Sequence, residues 1–199
     1  LKELGFTEER RPAYWAVKES VFPFNKFQGQ DIILSPEMRS TGEVMGLDED
    51  LGIAYAKAQM AANSPLPLAG KVFLSVGDSH KAAAVDVARQ FAHLGFELVA
   101  TGGTAAVLEN AGLKVERIYK LNEGARPNAV DLLKNKELQL VINTPSGATP
   151  RADEIKIRTT AVMTGTPIMT TLSGARAAAM GISALQKRGY TVRTVQEYH

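Results

Sequence analysis

The sequence contains no cysteine, so disulfides, thiolate metal centres and a cysteine nucleophile are excluded together. It has no run of eighteen apolar residues, and its first residues lack the charged-then-apolar order of a signal peptide, so neither a membrane helix nor a leader is expected. Charge of one sign is also missing. The formal net charge is only +2 and no basic run reaches five residues, which leaves a nucleic-acid-binding face without support. The three histidines, His80, His93 and His199, have no metal-ligand spacing. No GxxxxGK[ST] phosphate loop, internal repeat or low-complexity tract occurs.

What is present is ordinary globular material. Apolar residues make up 45% and charged residues 22%, enough to bury a core. A length of 199 residues suits one domain plus part of another. The chain opens on Leu1 rather than Met and on what reads as the tail of a helix, so it is expected to be cut from something longer. A reducing cytoplasmic setting is expected from the cysteine-free composition.

From Lys71 onward, short β-rich runs alternate with helical patterns, the signature of βαβ units around a parallel sheet. Strands are predicted at 72–76, 96–100, 114–119, 138–142, 167–171 and 190–195, and helices at about 80–94, 104–110, 129–135, 152–164 and 174–187. Asp78 and Ser79 are the expected N-caps of the first of these helices, and Gly95 its stop. The fold class is α/β: a Rossmann-like parallel five-stranded sheet with helices on both faces. Residues 1–62 read differently, as a strand pair over 16–22 and 40–45 with a helix over 49–62. Residues 63–70 hold two prolines and a glycine without periodicity, which suggests a linker before a domain over 71–199.

In such a sheet, ligands bind beyond the carboxyl ends of the strands. Thr101-Gly102-Gly103-Thr104 follows a strand and opens a helix. It reads either as an anion site of amides and hydroxyls or as a threonine-capped turn. Ser75, Lys81 and Lys120 belong to the same edge, and two lysines near one helix N-terminus favour a dianion. The loop Asn143-Thr144-Pro145-Ser146-Gly147 either reads a sugar or base or is simply a turn. Asp78, Asp86, Glu97 and Glu123 are dispersed and offer no acid–base pair, so binding is favoured over catalysis.

Pro23-Phe24-Asn25-Lys26-Phe27, followed by Pro36-Glu37-Met38-Arg39-Ser40-Thr41-Gly42-Glu43-Val44-Met45-Gly46, closely resembles the end of the second ATP-grasp unit of carbamoyl-phosphate synthetase large subunits. The remainder resembles the methylglyoxal-synthase-like C-terminal domain of the same subunits. The resemblance implies the regulatory region of an enzyme that makes carbamoyl phosphate from bicarbonate, ammonia and two ATP for arginine and pyrimidine synthesis. ATP with Mg or Mn would serve the full-length subunit and no cofactor this piece, which would be inactive alone. It also implies UMP, IMP and ornithine as effectors, a glutaminase small subunit as partner, and oligomers of large subunits.

By resemblance, Ser75, Lys81, Thr101, Gly103, Thr104, Lys120 and Asn143 hold a nucleotide phosphate, while Glu19, Phe22 and Thr170 serve an ornithine-type effector. Two positions depart from the family pattern. Pro145 stands where well-studied members have a threonine, removing a hydroxyl and an N–H, and Ile168 replaces a tyrosine. The competing reading is methylglyoxal synthase itself, a phosphate-eliminating enzyme of the same fold with a catalytic aspartate in a Gly-Gly-Asp motif. The comparable loop here, Glu123-Gly124-Ala125-Arg126-Pro127-Asn128, lacks that base, and histidines after that enzyme's first strand correspond to Gly77 and Ser79.

Overall fold

The computed structural model describes residues 2–5, 7–9, 12–21, 32, 42–145 and 152–198. The Pro23 to Phe27 motif and residues 36–41 lie outside them. The described chain opens with an antiparallel pair, β1 (Trp15–Val21) and β2 (Gly42–Asp48), in which Val17 faces Gly46 and Glu19 faces Val44. Helix α1 (Leu51–Ala61) lies on this pair and is capped at its start by the Asp50 carboxylate, which accepts from the Ile53 amide at 3.0 Å.

The rest is a parallel sheet of five strands in the order β5-β4-β3-β6-β7. Its strands are β3 (Lys71–Ser75), β4 (Glu97–Thr101), β5 (Val115–Ile118), β6 (Leu140–Asn143) and β7 (Ile168–Met169). Helices α2 (Lys81–His93), α3 (Gly102–Asn110), α4 (Ala129–Lys134) and α5 (Ala152–Thr164) connect them, and α6 (Leu172–Arg188) follows the last strand.

Side-chain alternation in the strands sorts the core into two layers. Val72, Leu74, Leu140 and Ile142 meet α2, α3 and α6 on one face, while Phe73, Val99 and Val141 meet α4 and α5 on the other. Both faces of the sheet are therefore covered, as its near-continuous apolar strands require.

Glycines let α1 approach its neighbours closely. A Cβ on Gly46 would overlap the Ala54 carbonyl oxygen and stand 2.5 Å from the Ala58 nitrogen, so β2 lies directly on the α1 backbone. Likewise, a Cβ on Gly52 would lie 2.9 Å from the Met180 carbonyl, so α1 and α6 are in backbone contact. The stretch 63–70 follows α1 without regular structure but is held: Leu66 is buried against α6, and Gln186 Nε2 donates to the Leu68 carbonyl at 2.8 Å.

Two expectations need correction. Tyr190 to Val195 is not a sixth strand. Its apolar residues find no sheet face, Val192 being 86% exposed, and the chain instead runs to the β1–β2 pair, where the Tyr198 hydroxyl donates to the Leu47 carbonyl at 2.9 Å. Nor do Asp78 and Ser79 cap α2. They form a short 3-10 turn ending at His80, which occupies the N-cap, and the Asp78 carboxylate pairs with the Lys81 ammonium at 2.6 Å. A charged partner one turn away competes successfully with the helix amides for that carboxylate. Elsewhere the predicted elements are found with ends in place or moved by one to three residues, the usual ambiguity of fraying termini.

Candidate functional site

The parallel register brings the carboxyl ends of three strands side by side: Ser75 at the end of β3 pairs with Asn143 at the end of β6, and Thr101 closes β4 next to them. A cleft of about 330 Å³ opens beyond these ends. Ser75, Lys81, Thr101, Gly103, Thr104 and Lys120 all line it, so six of the seven residues singled out for a phosphate share one cavity. The last residues of β3 and β4, the first turns of α2 and α3, and the loop after β5 supply them.

Local structure explains the arrangement. Thr101 occupies the N-cap of α3, yet its side chain makes no capping bond, so the hydroxyl is not committed to the helix it precedes. Thr104, one turn in, is buried and accepts the Val76 amide at 3.4 Å, tying the loop after β3 to α3. Lys81 lies across Gly103. A Cβ at that position would be 2.9 Å from its Nζ, so a larger residue there would push the ammonium aside. An ammonium at the positive end of a helix is electrostatically awkward by itself, and an anion bridging the lysine and the α3 amides removes the conflict. Its partner Asp78 is 92% exposed at the side chain, and such a surface ion pair is weak enough for a phosphate to displace.

Asn143 is placed differently. It is fully buried behind the cleft, with Nδ2 donating to the Ser75 carbonyl at 3.3 Å and Oδ1 accepting from Arg158 Nη1 at 2.8 Å. Its neighbour Thr144 accepts the Gly77 amide at 3.1 Å and lies 3.2 Å from His80 Nδ1. Positions 146–150 of this loop lie outside the described residues.

The cleft also holds Asp153 and Glu154, which sequence reasoning passed over. They line it together with Asp78, which the sequence showed only as one of several dispersed carboxylates, so carboxylates from distant stretches do converge. Glu154 and the fully buried Arg158 are an i,i+4 pair on α5, at 3.8 Å. The available signal was positional: α5 begins just beyond the carboxyl end of β6, where binding residues gather in such sheets.

A second cavity, of about 570 Å³, lies between the β1–β2 pair with α1 and the α5–β7 side of the sheet. Glu19, Thr170 and Ile168 line it, as do Gln59 and Thr166, while Phe22 lies outside the described residues. Among the described lining residues Glu19 is the sole charge. Burial pushes its carboxyl above the ordinary carboxylate range, and a hydrogen bond with the Gln59 side chain pulls the other way without cancelling the effect. Nearby, burial and the Glu19 charge together push the Tyr55 phenol up to about 12. A half-buried carboxylate facing an open cavity with no cation among its described walls suits a positively charged ligand.

Among the described residues, no group of three or more His, Cys, Asp or Glu side chains is arranged to hold a metal ion. No helix of the described chain is long and apolar enough to cross a membrane.

Comparison with known proteins adds an independent line. Residues 83–170 match the model of the MGS-like domain. The carbamoyl phosphate synthase large chain of Nostoc sp. is 52% identical over 198 residues, covering 100% of this chain and 18% of that one. That of Rhodopirellula baltica is 51% identical, covering 98% of this chain and 18% of its own. The arginine-specific, chloroplastic large chain of Oryza sativa is 48% identical, covering 100% and 17%. The chain thus spans under a fifth of the length of the curated relatives it matches. A solved methylglyoxal synthase from Elizabethkingia anophelis is 20% identical, with a TM-score of 0.48 over 57% of this chain and 79% of that one.

Proposed function

Since this chain belongs with the carbamoyl phosphate synthase large chains, matching a segment that carries their MGS-like domain, we propose that it is the C-terminal regulatory, effector-binding region of such a subunit. Residues 1–62 then close an ATP-grasp unit, 63–70 are the connection, and 71–199 form the allosteric domain. The parent enzyme, a ligase, makes carbamoyl phosphate from bicarbonate, ammonia and two ATP with Mg or Mn. It works in the cytoplasm with a glutaminase partner, supplies arginine and pyrimidine synthesis, and associates through its large subunits. The piece has no activity of its own.

The observation that carries this reading is the Lys81 ammonium lying across Gly103 at the α3 N-terminus, with Lys120 in the same cleft. Ser75, Lys81, Thr101, Gly103, Thr104 and Lys120 hold the phosphate of a nucleotide such as UMP or IMP, and Asn143 acts from behind by holding the Ser75 carbonyl. The Pro145 departure removes a hydroxyl and an N–H from the loop after β6, so it bears on UMP affinity or preference. The second cavity takes an ornithine-type cation at Glu19, with Thr170 on the opposite wall and Ile168 making that wall more apolar than in the family.

Isothermal titration of the 199-residue chain with UMP, IMP and inorganic phosphate tests the first site. Heat of binding that disappears in Lys81→Ala is expected, whereas no heat with any of the three leaves only a structural module. The carboxylates in the cleft are what an elimination enzyme would also use. However, Asp78 is paired with Lys81 and Glu154 with Arg158, so of the three described cleft carboxylates only Asp153 is left to act as a base. No methylglyoxal release from dihydroxyacetone phosphate is expected, and measurable release would favour the lyase.

A further inference from the structure

The charges lining the phosphate cleft do not favour an anion as they stand. Among the described residues, the Lys81 and Lys120 ammoniums share it with the carboxylates of Asp78, Asp153 and Glu154, of which Glu154 is offset by Arg158. One of the two ammoniums is also already occupied: Asp78 Oδ1 lies 2.6 Å from Lys81 Nζ. A carboxylate at that distance cancels most of the field of the ammonium lying across Gly103 at the start of α3. Phosphate therefore meets a lysine that holds an anion from its own chain.

We propose that Asp78 is a specificity-determining residue, a resident anion that holds Lys81 in the unliganded protein and is exchanged for phosphate on binding. This rests on reading the cleft as an anion site.

The geometry suits an exchange. Asp78 opens the short 3-10 turn that leads into α2, three residues before Lys81, so its carboxylate stays tethered beside the ammonium it leaves. The Asp78 side chain is 92% exposed and that of Lys81 only 25%, so the carboxylate can turn into water while the ammonium keeps its place. The backbone beneath them is pinned. The His80 amide donates to the Gly77 carbonyl at 2.9 Å, the Gly77 amide to Thr144 Oγ1 at 3.1 Å, and the Val76 amide to Thr104 Oγ1 at 3.4 Å. Exchange then needs one side chain to move and not the loop. Selectivity follows from the competition. A monoanion offers Lys81 no more charge than the tethered carboxylate does, and it faces that group at high local concentration. A phosphate dianion carries about twice the charge, and its further oxygens can be taken up by the α3 amides and Lys120. Weak anions are thus rejected by a contact inside the protein as well as by the lack of a better one.

The test is isothermal titration of the 199-residue chain with inorganic phosphate at about pH 8, where phosphate is chiefly a dianion, comparing wild type with Asp78→Asn. The variant keeps the shape and removes the competitor, and it should bind phosphate about fivefold tighter, the upper end for an exposed ion pair. Acetate exchanged for the bulkier gluconate at constant ionic strength supplies a free carboxylate. It should weaken phosphate binding to Asp78→Asn and leave wild type unchanged, because only the variant has the place open. Phosphate that binds Asp78→Asn no tighter than wild type overturns the exchange and leaves the anion site standing. An equal effect of acetate on both proteins also overturns it, since Asp78 then acts through net charge alone. If neither protein binds inorganic phosphate or UMP, the anion-site reading falls and the exchange falls with it. Should Asp78→Asn lose its cooperative melt, Asp78→Ser removes the same carboxylate and carries the comparison.

Discussion

Arg158 is the largest fully buried side chain of the described protein, and a guanidinium in a core must be satisfied by its neighbours. It donates to Asn143 Oδ1 and stands beside Glu154, so it joins the carboxyl end of β6 to the wall of the phosphate cleft. Replacing it with methionine keeps the bulk but leaves a buried amide oxygen and a carboxylate without this partner. A loss of about 3 kcal/mol in unfolding free energy is expected, with weaker phosphate binding than wild type by isothermal titration. This residue was not legible in the sequence. Arg158 reads there as one more charge on an amphipathic helix, and only the closeness of β6 to α5 gives it a role. Lys81, Thr101 and Lys120 were legible, because the carboxyl edge of a parallel sheet can be located from the order of strands and helices alone.

At the scale of elements, the junctions of α1 with β2 and with α6 fix where α1 lies beside the Glu19 cavity. Gly46→Ala would drive a methyl group into the α1 backbone, which has no side-chain freedom to yield. A loss of about 2–3 kcal/mol is expected, read as a lower denaturant midpoint with an unchanged slope. Thr171, the N-cap of α6, accepts the Gly174 amide at 3.0 Å, and Thr171→Ala should cost about 1 kcal/mol by the same measurement. Helix α5 was read with both its ends in place, whereas Tyr190 to Val195 was misread as a strand. β-propensity reports suitability for a half-buried pleated surface and cannot say whether one is within reach.

For the whole molecule, the tail after α6 closes onto the β1–β2 pair around Asp48. Burial pushes the Asp48 carboxyl up, but Lys57 at 2.8 Å, the Asp50 amide and Arg188 at 2.7 Å together outweigh it and hold the group below its ordinary range. A depressed folded-state pKa contributes stability that is fully present above the unfolded value. That contribution is lost as pH falls through the folded value. Thermal melts should therefore show Asp48→Asn less stable than wild type at neutral pH, with the difference shrinking as the pH is lowered below about 4. Ligand binding to the folded form should raise the same melting curve: a nucleotide at about 100 times its Kd adds about 2.7 kcal/mol.

The amino-acid order alone determined the parallel α/β sheet and the hydroxyls and lysines at one sheet edge, because periodicity and the end-of-strand rule act over neighbouring residues. Beyond that shared edge it left the contacts between stretches far apart in sequence undetermined. The withdrawal of Asn143 behind the cleft, the burial of Arg158, and the meeting of Asp78 with Asp153 and Glu154 were all decided by how helices stack on the sheet. That stacking is governed by which residues lack a side chain at a crossing and which polar groups must find partners once buried. Both conditions are met in three dimensions and leave little local trace.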